Sequence, residues 1–117
     1  MNLLNETVGV MKGNGLKHED IIFIGSEDSG YSCSWKEFTD LANVDFDAGF
    51  GSQQVATDLV IVFKDGSRLY RSEYDGAESW EYVSVFRMPS VMKPIKSLIV
   101  VNGTGWQTLE TINGESN

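Results

Sequence analysis

The sequence predicts an α+β fold, in which an antiparallel sheet of four to five strands packs one face on one or two short helices. Apolar, β-branched runs separated by turn signals predict the strands, and short segments with helical spacing predict the helices. Consecutive strands joined by hairpins argue against a doubly wound parallel sheet. At 117 residues and 41% hydrophobic content, we expect a single domain over residues 1–117 with a polar tail from about residue 113.

The N-terminal segment is predicted to form a short helix. Leu4, Val8 and Met11 recur at helical spacing, Asn5 is a candidate N-cap, and Gly-Asn-Gly at residues 13–15 ends the helix. Residues 16–20 then form a turn.

A strand and a second helix follow. Residues 21–24 form a compact apolar strand, residues 26–30 a polar hairpin-like loop, and residues 32–34 a short strand. Ser34 and Glu37 have the spacing of a capping box, which predicts that a helix begins at residue 35. The apolar residues on one face of this helix are Trp35, Phe38, Leu41 and Ala42.

The remaining strands come from the second half of the chain. Residues 58–63 and 68–72 are predicted strands joined by a Lys-Asp-Gly-Ser turn, and residues 79–86 return with alternating polarity. The residues of this third strand that share one face are Trp80, Tyr82, Ser84 and Phe86. Residues 95–101 are predicted to form the last strand, and residues 106–112 fit either a helix or a further strand.

Charge and cysteine content restrict the function classes. Seventeen acidic residues against nine basic ones give a net charge of −8, which disfavours direct nucleic-acid binding and favours a basic partner. A single cysteine, Cys33, excludes an internal disulfide and multi-cysteine zinc sites. We find neither a signal peptide nor a run of roughly 18 apolar residues, so we expect no membrane association and a cytoplasmic location. An edge strand at residues 21–24 or 98–101 would allow homo-oligomerisation.

Residues 44–54, V-D-F-D-A-G-F-G-S-Q-Q, superficially resemble a calcium loop. A helix-loop-helix calcium site requires an oxygen ligand, a glycine and a glutamate where this chain has Gly49, Phe50 and Ala56. A phosphate loop is also disfavoured, because no Gly-Lys-Ser/Thr follows and the adjacent aspartates repel phosphate. We therefore expect no metal and no cofactor, and assign Gly49 and Gly51 a conformational role.

No catalytic constellation is evident in the sequence. The only histidine, His18, lies in a polar turn, and Cys33 lies between two serines ahead of a tryptophan. Acidic residues are abundant, but abundance alone does not make a site. We therefore expect a protein that is not an enzyme.

Residues 71–82 are the best candidate for recognition, because large aromatic side chains alternate with acids there. The candidate binding residues are Glu73, Tyr74, Asp75, Glu78, Trp80, Glu81 and Tyr82. In the alternative interpretation, Trp80 and Tyr82 complete the core and residues 74–76 are only a turn.

Two further hypotheses stay open. A small-ligand or nucleotide-signal binding module would use a pocket between the glycine-rich loop and the sheet. The residues of this alternative pocket are Phe46, Gly49, Phe50, Gly51, Arg68 and Arg71. An acid-dependent hydrolase would need at least two carboxylates converging in one cleft.

Residues 21–89 resemble a group of small proteins carried by bacteriophages and prophages. The motifs that carry the resemblance are D-F-D-A-G-F-G, F-K-D-G-S and E-Y-D-G-A-E-S-W-E-Y, with Ala77 and Ser79 departing from the family pattern. The resemblance implies a phage-borne setting without a specific activity. In that setting, small acidic domains often inhibit host machinery such as restriction and CRISPR systems. The leading hypothesis is therefore a non-enzymatic accessory protein that binds and inhibits a host defence protein through an acidic, aromatic surface.

Overall fold

A computed structural model of the protein describes residues 1–47, 49, 52–85, 88–100 and 105–114. The chain divides into two compact units, residues 1–86 and residues 87–117, each of which is described by itself. The expectation of a single domain stays a prediction.

The first unit contains two helices and four strands. In chain order these are α1 (Leu3–Gly13), β1 (Ile21–Gly25), α2 (Trp35–Leu41), β2 (Val60–Phe63), β3 (Arg68–Tyr74) and β4 (Ala77–Val83). A short 3₁₀ turn, His18–Asp20, precedes β1. All neighbouring strands are antiparallel, in the order β1-β2-β3-β4. The predicted α+β class with an antiparallel sheet of four strands is confirmed.

The core lies between the sheet and the two helices. Burial alternates along β2, β3 and β4, so one face of the sheet points inward. Helix α1 contacts β4, and α2 contacts β1. The buried apolar residues are Leu3, Met11, Ile24, Phe38, Ala42, Ile61, Phe63, Leu69 and Trp80.

Helix α1 begins earlier than predicted. Its N-cap is Asn2, whose side chain accepts a hydrogen bond from the Asn5 amide at 2.9 Å, so the prediction of Asn5 as the cap is wrong. In the first turn, the Leu3 amide donates to the Val44 carbonyl and the Leu4 amide to the Ala42 carbonyl. This tertiary anchoring extends the helix beyond its apolar pattern.

Helix α2 has the predicted start. The Ser34 hydroxyl accepts a hydrogen bond from the Glu37 amide at 3.1 Å, and the Glu37 carboxylate accepts one from the Ser34 amide at 2.9 Å. These hydrogen bonds lower the pKa of Glu37. The reciprocal pair completes the capping box.

The turn between β1 and α2 depends on a glycine. Gly25 has a φ of 154°, and a β-carbon at this position would collide with the carbonyl oxygen of Tyr31. The close approach is needed because Gly25 pairs with Ser32 in an isolated bridge. This bridge replaces the predicted short strand at residues 32–34.

The second unit contains helix α3 (Leu109–Asn113), which makes three short helices in the described chain and resolves the ambiguity at residues 106–112. The prediction of a strand is wrong for the described residues 95–100. Here the amides of Lys96 and Ser97 donate to the side-chain oxygen of Asn113 at 2.8 and 2.7 Å. A side chain of α3 therefore takes hydrogen bonds that a neighbouring strand would otherwise accept.

Across the described ranges, no helix combines the length and apolar character needed to cross a membrane.

Candidate functional site: a hairpin tip, a buried ion network and a groove

The β3–β4 hairpin ends in a two-residue turn of fixed geometry. Asp75 and Gly76 have φ values of 54° and 86°, as a type I′ turn requires, and Tyr74 pairs with Ala77 across it. The Glu73 carboxylate also accepts a hydrogen bond from the Gly76 amide. We call residues 73–76 the hairpin tip.

A buried ion network joins the two strands of this hairpin to α1. The Arg71 side chain is completely buried, and its guanidinium contacts Glu6 at 3.0 Å and Glu78 at 2.8 Å. The three residues come from β3, α1 and β4, so the network joins the first helix to the last strand pair of the unit. We refer to Glu6, Arg71 and Glu78 as the ion network.

Glu78 also fixes the chain segment that precedes β2. Its two carboxylate oxygens accept hydrogen bonds from the backbone amides of Gln54 at 2.6 Å and Val55 at 3.2 Å. Burial by itself raises the pKa of Glu78, but these hydrogen bonds and the Arg71 guanidinium outweigh burial and lower the pKa. Glu78 is therefore a carboxylate that the fold holds in its charged form.

Aromatic rings complete the surroundings of Arg71. The guanidinium carbon lies 4.9 Å from the centre of the Trp80 ring and 5.5 Å from that of Phe46. The Trp80 indole nitrogen donates to the Thr7 hydroxyl at 2.8 Å, and the Trp80 amide donates to Glu6 at 2.9 Å. The amide and the indole nitrogen of Trp80 thus both have partners on α1.

The structure divides the predicted binding residues into two groups. Glu78 and Trp80 are buried, and Tyr82 is partly buried against the core. For Trp80 and Tyr82 the interpretation as core applies, because their positions on β4 point toward the helices, and Glu78 lies on the same face of the strand. The exposed residues are Glu73, Tyr74, Asp75 and Glu81, and Tyr74 is 84% exposed. This second group presents the more accessible surface of the folded protein.

The alternative pocket is not assembled by its described members. Arg68 and Arg71 are three residues apart on β3, so they point to opposite faces of the sheet. Arg68 forms an ion pair with Glu27, whereas Arg71 is enclosed in the ion network beside Phe46. Phe50 and Gly51 lie outside the described residues, and Gly49 lies in a bend. The two arginines therefore do not converge on one ligand.

The sequence did not predict an apolar groove that α2 lines together with residues 24–33, 44–46 and 54–59. It consists of two adjoining cavities of about 410 and 400 Å³. Cys33, Leu41, Ala56 and Leu59 line both cavities, and the first also contacts Phe46, Gln54 and Val55. Leu41 belongs to the predicted packing face of α2, yet it is 69% exposed. The sequence pattern predicted that Leu41 packs inward, and it contained no signal that the rest of the chain leaves this residue uncovered.

Cys33 and His18, the two residues considered for catalysis, have different environments and different contacts. Burial, and secondarily the charge of Glu37, raises the pKa of the Cys33 thiol, which lowers its thiolate content near neutral pH. His18 stacks on Trp35 with ring centres 5.5 Å apart and contacts Glu19 at 3.0 Å. Within the described ranges, no three histidine, cysteine or acidic residues are grouped as metal ligands.

No protein-family model matches the chain, and comparisons with curated proteins and with solved structures find no match either. The resemblance to phage and prophage proteins stays a prediction.

Proposed function

We propose that the protein is a non-enzymatic accessory protein that binds and inhibits a host defence protein in the cytoplasm of an infected bacterium. The contact is made by the hairpin tip. The observation that carries this proposal is the 84% exposure of Tyr74 on a turn of fixed geometry, between the carboxylates of Glu73 and Asp75.

The tip has the properties of an interface anchor. Tyrosine offers a large amphipathic surface and loses little conformational entropy on binding. The type I′ turn, together with the hydrogen bond from the Gly76 amide to the Glu73 carboxylate, favours one conformation of the tip before a partner arrives. Such preorganisation favours affinity, because less of the binding free energy is spent on ordering the loop.

Charge indicates the kind of surface that the tip contacts. Residues 1–86 contain fifteen of the seventeen acidic residues and six of the nine basic ones. An acidic unit attracts a basic surface over a Debye length of about 8 Å at physiological salt. A nucleic-acid-binding groove on a host protein is a surface of this kind.

A pull-down from host lysate followed by an infection assay tests the proposal. Wild type is compared with Tyr74→Ala, with the double variant Glu73→Lys/Asp75→Lys, and with the matched control Trp106→Ala, whose aromatic side chain is fully exposed in the second unit. We expect one host protein to be retained in stoichiometric amount by wild type and Trp106→Ala, and lost with both tip variants. Circular dichroism confirms that all four proteins are folded.

The infection assay links binding to function. Cells that express wild type or Trp106→Ala should be infected more efficiently by a phage that the host normally restricts, whereas cells that express either tip variant should not. Equal infection with wild type and the charge-reversed tip would overturn the proposal.

A further inference from the structure

We propose that the groove lined by α2 and residues 24–33, 44–46 and 54–59 binds a cationic amphipathic helix of a partner protein. This inference deepens the proposed function, on which it rests, by naming a class of partner element. It uses a surface different from the hairpin tip, so the two proposals can fail separately.

Helix α2 supplies the first reason. Its apolar face continues into Leu41 and then into Val44 beyond the helix, and these residues are 69% and 52% exposed. Both line the groove. An amphipathic helix normally buries the whole of such a stripe, whereas the described part of the unit buries Phe38 and Ala42 but leaves Leu41 and Val44 exposed.

The dimensions of the groove suit side chains of a helix. Each cavity, about 410 and 400 Å³, can receive one or two large apolar side chains, and the cavities adjoin through a common wall at Leu41 and Leu59. A bound helix presents its apolar residues at i, i+3, i+4 and i+7, which fill neighbouring hollows in succession. A polar small molecule fits less well, because it requires several convergent polar groups.

Charge selects a cationic helix. Asp45 lines the first cavity and Asp58 lines the second, and both carboxylates are exposed. Lysine or arginine residues that flank the apolar stripe of a partner helix would lie over these two acids. The general acidity of residues 1–86 adds a longer-range attraction of the same sign.

Two members of the ion network, Glu78 and Arg71, contact residues that line the groove. Glu78 accepts hydrogen bonds from the amides of Gln54 and Val55, and the ring of Phe46 lies against the Arg71 guanidinium. The buried side chains of Glu78 and Arg71 thus position Gln54, Val55 and Phe46 in the wall of the groove. A wall fixed in this way reduces the entropy lost on binding.

Fluorescence anisotropy with synthetic peptides tests the inference on the full chain. The probe is a labelled helical peptide of about 18 leucine and lysine residues with leucine at i, i+3, i+4 and i+7. Two controls are a scrambled peptide of the same composition and an amphipathic peptide in which glutamate replaces lysine. The protein variants are Leu41→Lys, Asp45→Asn/Asp58→Asn, and Val8→Lys, which alters an exposed apolar residue of α1 away from the groove.

We expect the cationic amphipathic peptide to bind with a micromolar dissociation constant and Leu41→Lys to weaken binding at least about tenfold. The double aspartate variant should weaken binding about threefold and reduce its salt dependence, whereas Val8→Lys and Tyr74→Ala should change binding less than about twofold. Equal binding of the scrambled or glutamate peptide, or no effect of Leu41→Lys, would overturn the inference. A large loss of stability in Leu41→Lys, measured in urea, would also overturn it, because it would mean that the chain itself covers the groove.

Discussion

The tip and the stem of the β3–β4 hairpin contain the same residue types in opposite environments. At the tip, Glu73 and Tyr74 lie in solvent, whereas Glu78 and Trp80 in the stem are buried against α1. The difference arises from strand geometry and from Arg71, which neutralises the buried carboxylate. Alternation of acids and aromatics therefore does not by itself indicate a binding surface; the position relative to the helices decides.

Among the substitutions of charged residues proposed in this hairpin, loss of Arg71 should lower the free energy of unfolding the most. Arg71→Met would leave the carboxylates of Glu6 and Glu78 buried without a counter-ion, which costs about 3–5 kcal/mol of unfolding free energy. Urea denaturation followed by circular dichroism measures the change. The control is Arg68→Met, which removes a partly exposed ion pair with Glu27 and should cost less than about 1 kcal/mol. Similar losses for both variants would mean that burial does not distinguish the two arginines.

Removal of the Glu78 charge should have the next largest effect. Glu78→Gln replaces one of the two oxygens that accept from the Gln54 and Val55 amides. It also removes one of the two ion pairs of Arg71. We therefore expect the free energy of unfolding to fall by about 2–3 kcal/mol. Hydrogen exchange should quicken at the amides of Gln54 and Val55. The matched control Glu81→Gln, on the exposed side of β4, should leave both measurements unchanged.

The same carboxylate predicts a pH dependence. Because the folded protein lowers the pKa of Glu78 below an unfolded value of about 4.3, its contribution is complete above that pH. It is lost as the pH falls through the lower folded pKa, since the unfolded state then binds the proton more tightly. Wild-type stability should therefore fall more steeply than that of Glu78→Gln below about pH 4.3. Parallel curves would contradict this assignment.

The hydrogen bond between α1 and Trp80 should make a smaller contribution. Thr7→Val keeps the shape of the side chain but removes the acceptor for the buried indole nitrogen, with an expected cost of about 1–2 kcal/mol. Trp80 fluorescence should shift as the indole loses its partner. Thr57→Val, at an exposed position ahead of β2, is the control and should change stability by less than about 0.5 kcal/mol.

The smallest effect is expected at the tip itself. Tyr74→Ala removes a side chain that is 84% exposed, so the unfolding free energy should change by less than about 0.5 kcal/mol. The same assay on Trp80→Ala should show a loss of about 3–5 kcal/mol. If Tyr74→Ala were also strongly destabilising, the tip would be part of the core and the proposed function would lose its basis.

Local patterns predicted most of the first unit. The apolar run of β2, the capping box of Ser34 and Glu37, and the turn signals around the hairpins all act over a few residues, so they can be read from the sequence. The strand predicted at residues 95–101 failed where it is described, because the Asn113 side chain takes the amides that a strand would pair.

The candidate site was predictable only in part. Period-two alternation on β3 already placed Arg71 beside Leu69 on the inner face, which was a signal that the arginine would be buried. Its pairing with Glu6 was not visible, since 65 residues separate the two. The groove was hidden for a related reason: an apolar stripe shows which residues prefer burial but does not show how much of the stripe the rest of the chain covers.

Because 65 residues separate Glu6 from Arg71, their ion pair can form only late in protein synthesis. Helix α1 leaves the ribosome first, yet its contacts at Val44, Arg71 and Trp80 are translated later. Domains generally fold as units, N-terminal parts first, during synthesis. Within this unit, however, the contacts of α1 with the last hairpin cannot form until β4 has been synthesised. The nascent chain therefore cannot complete the packing of α1 until most of the unit has been translated.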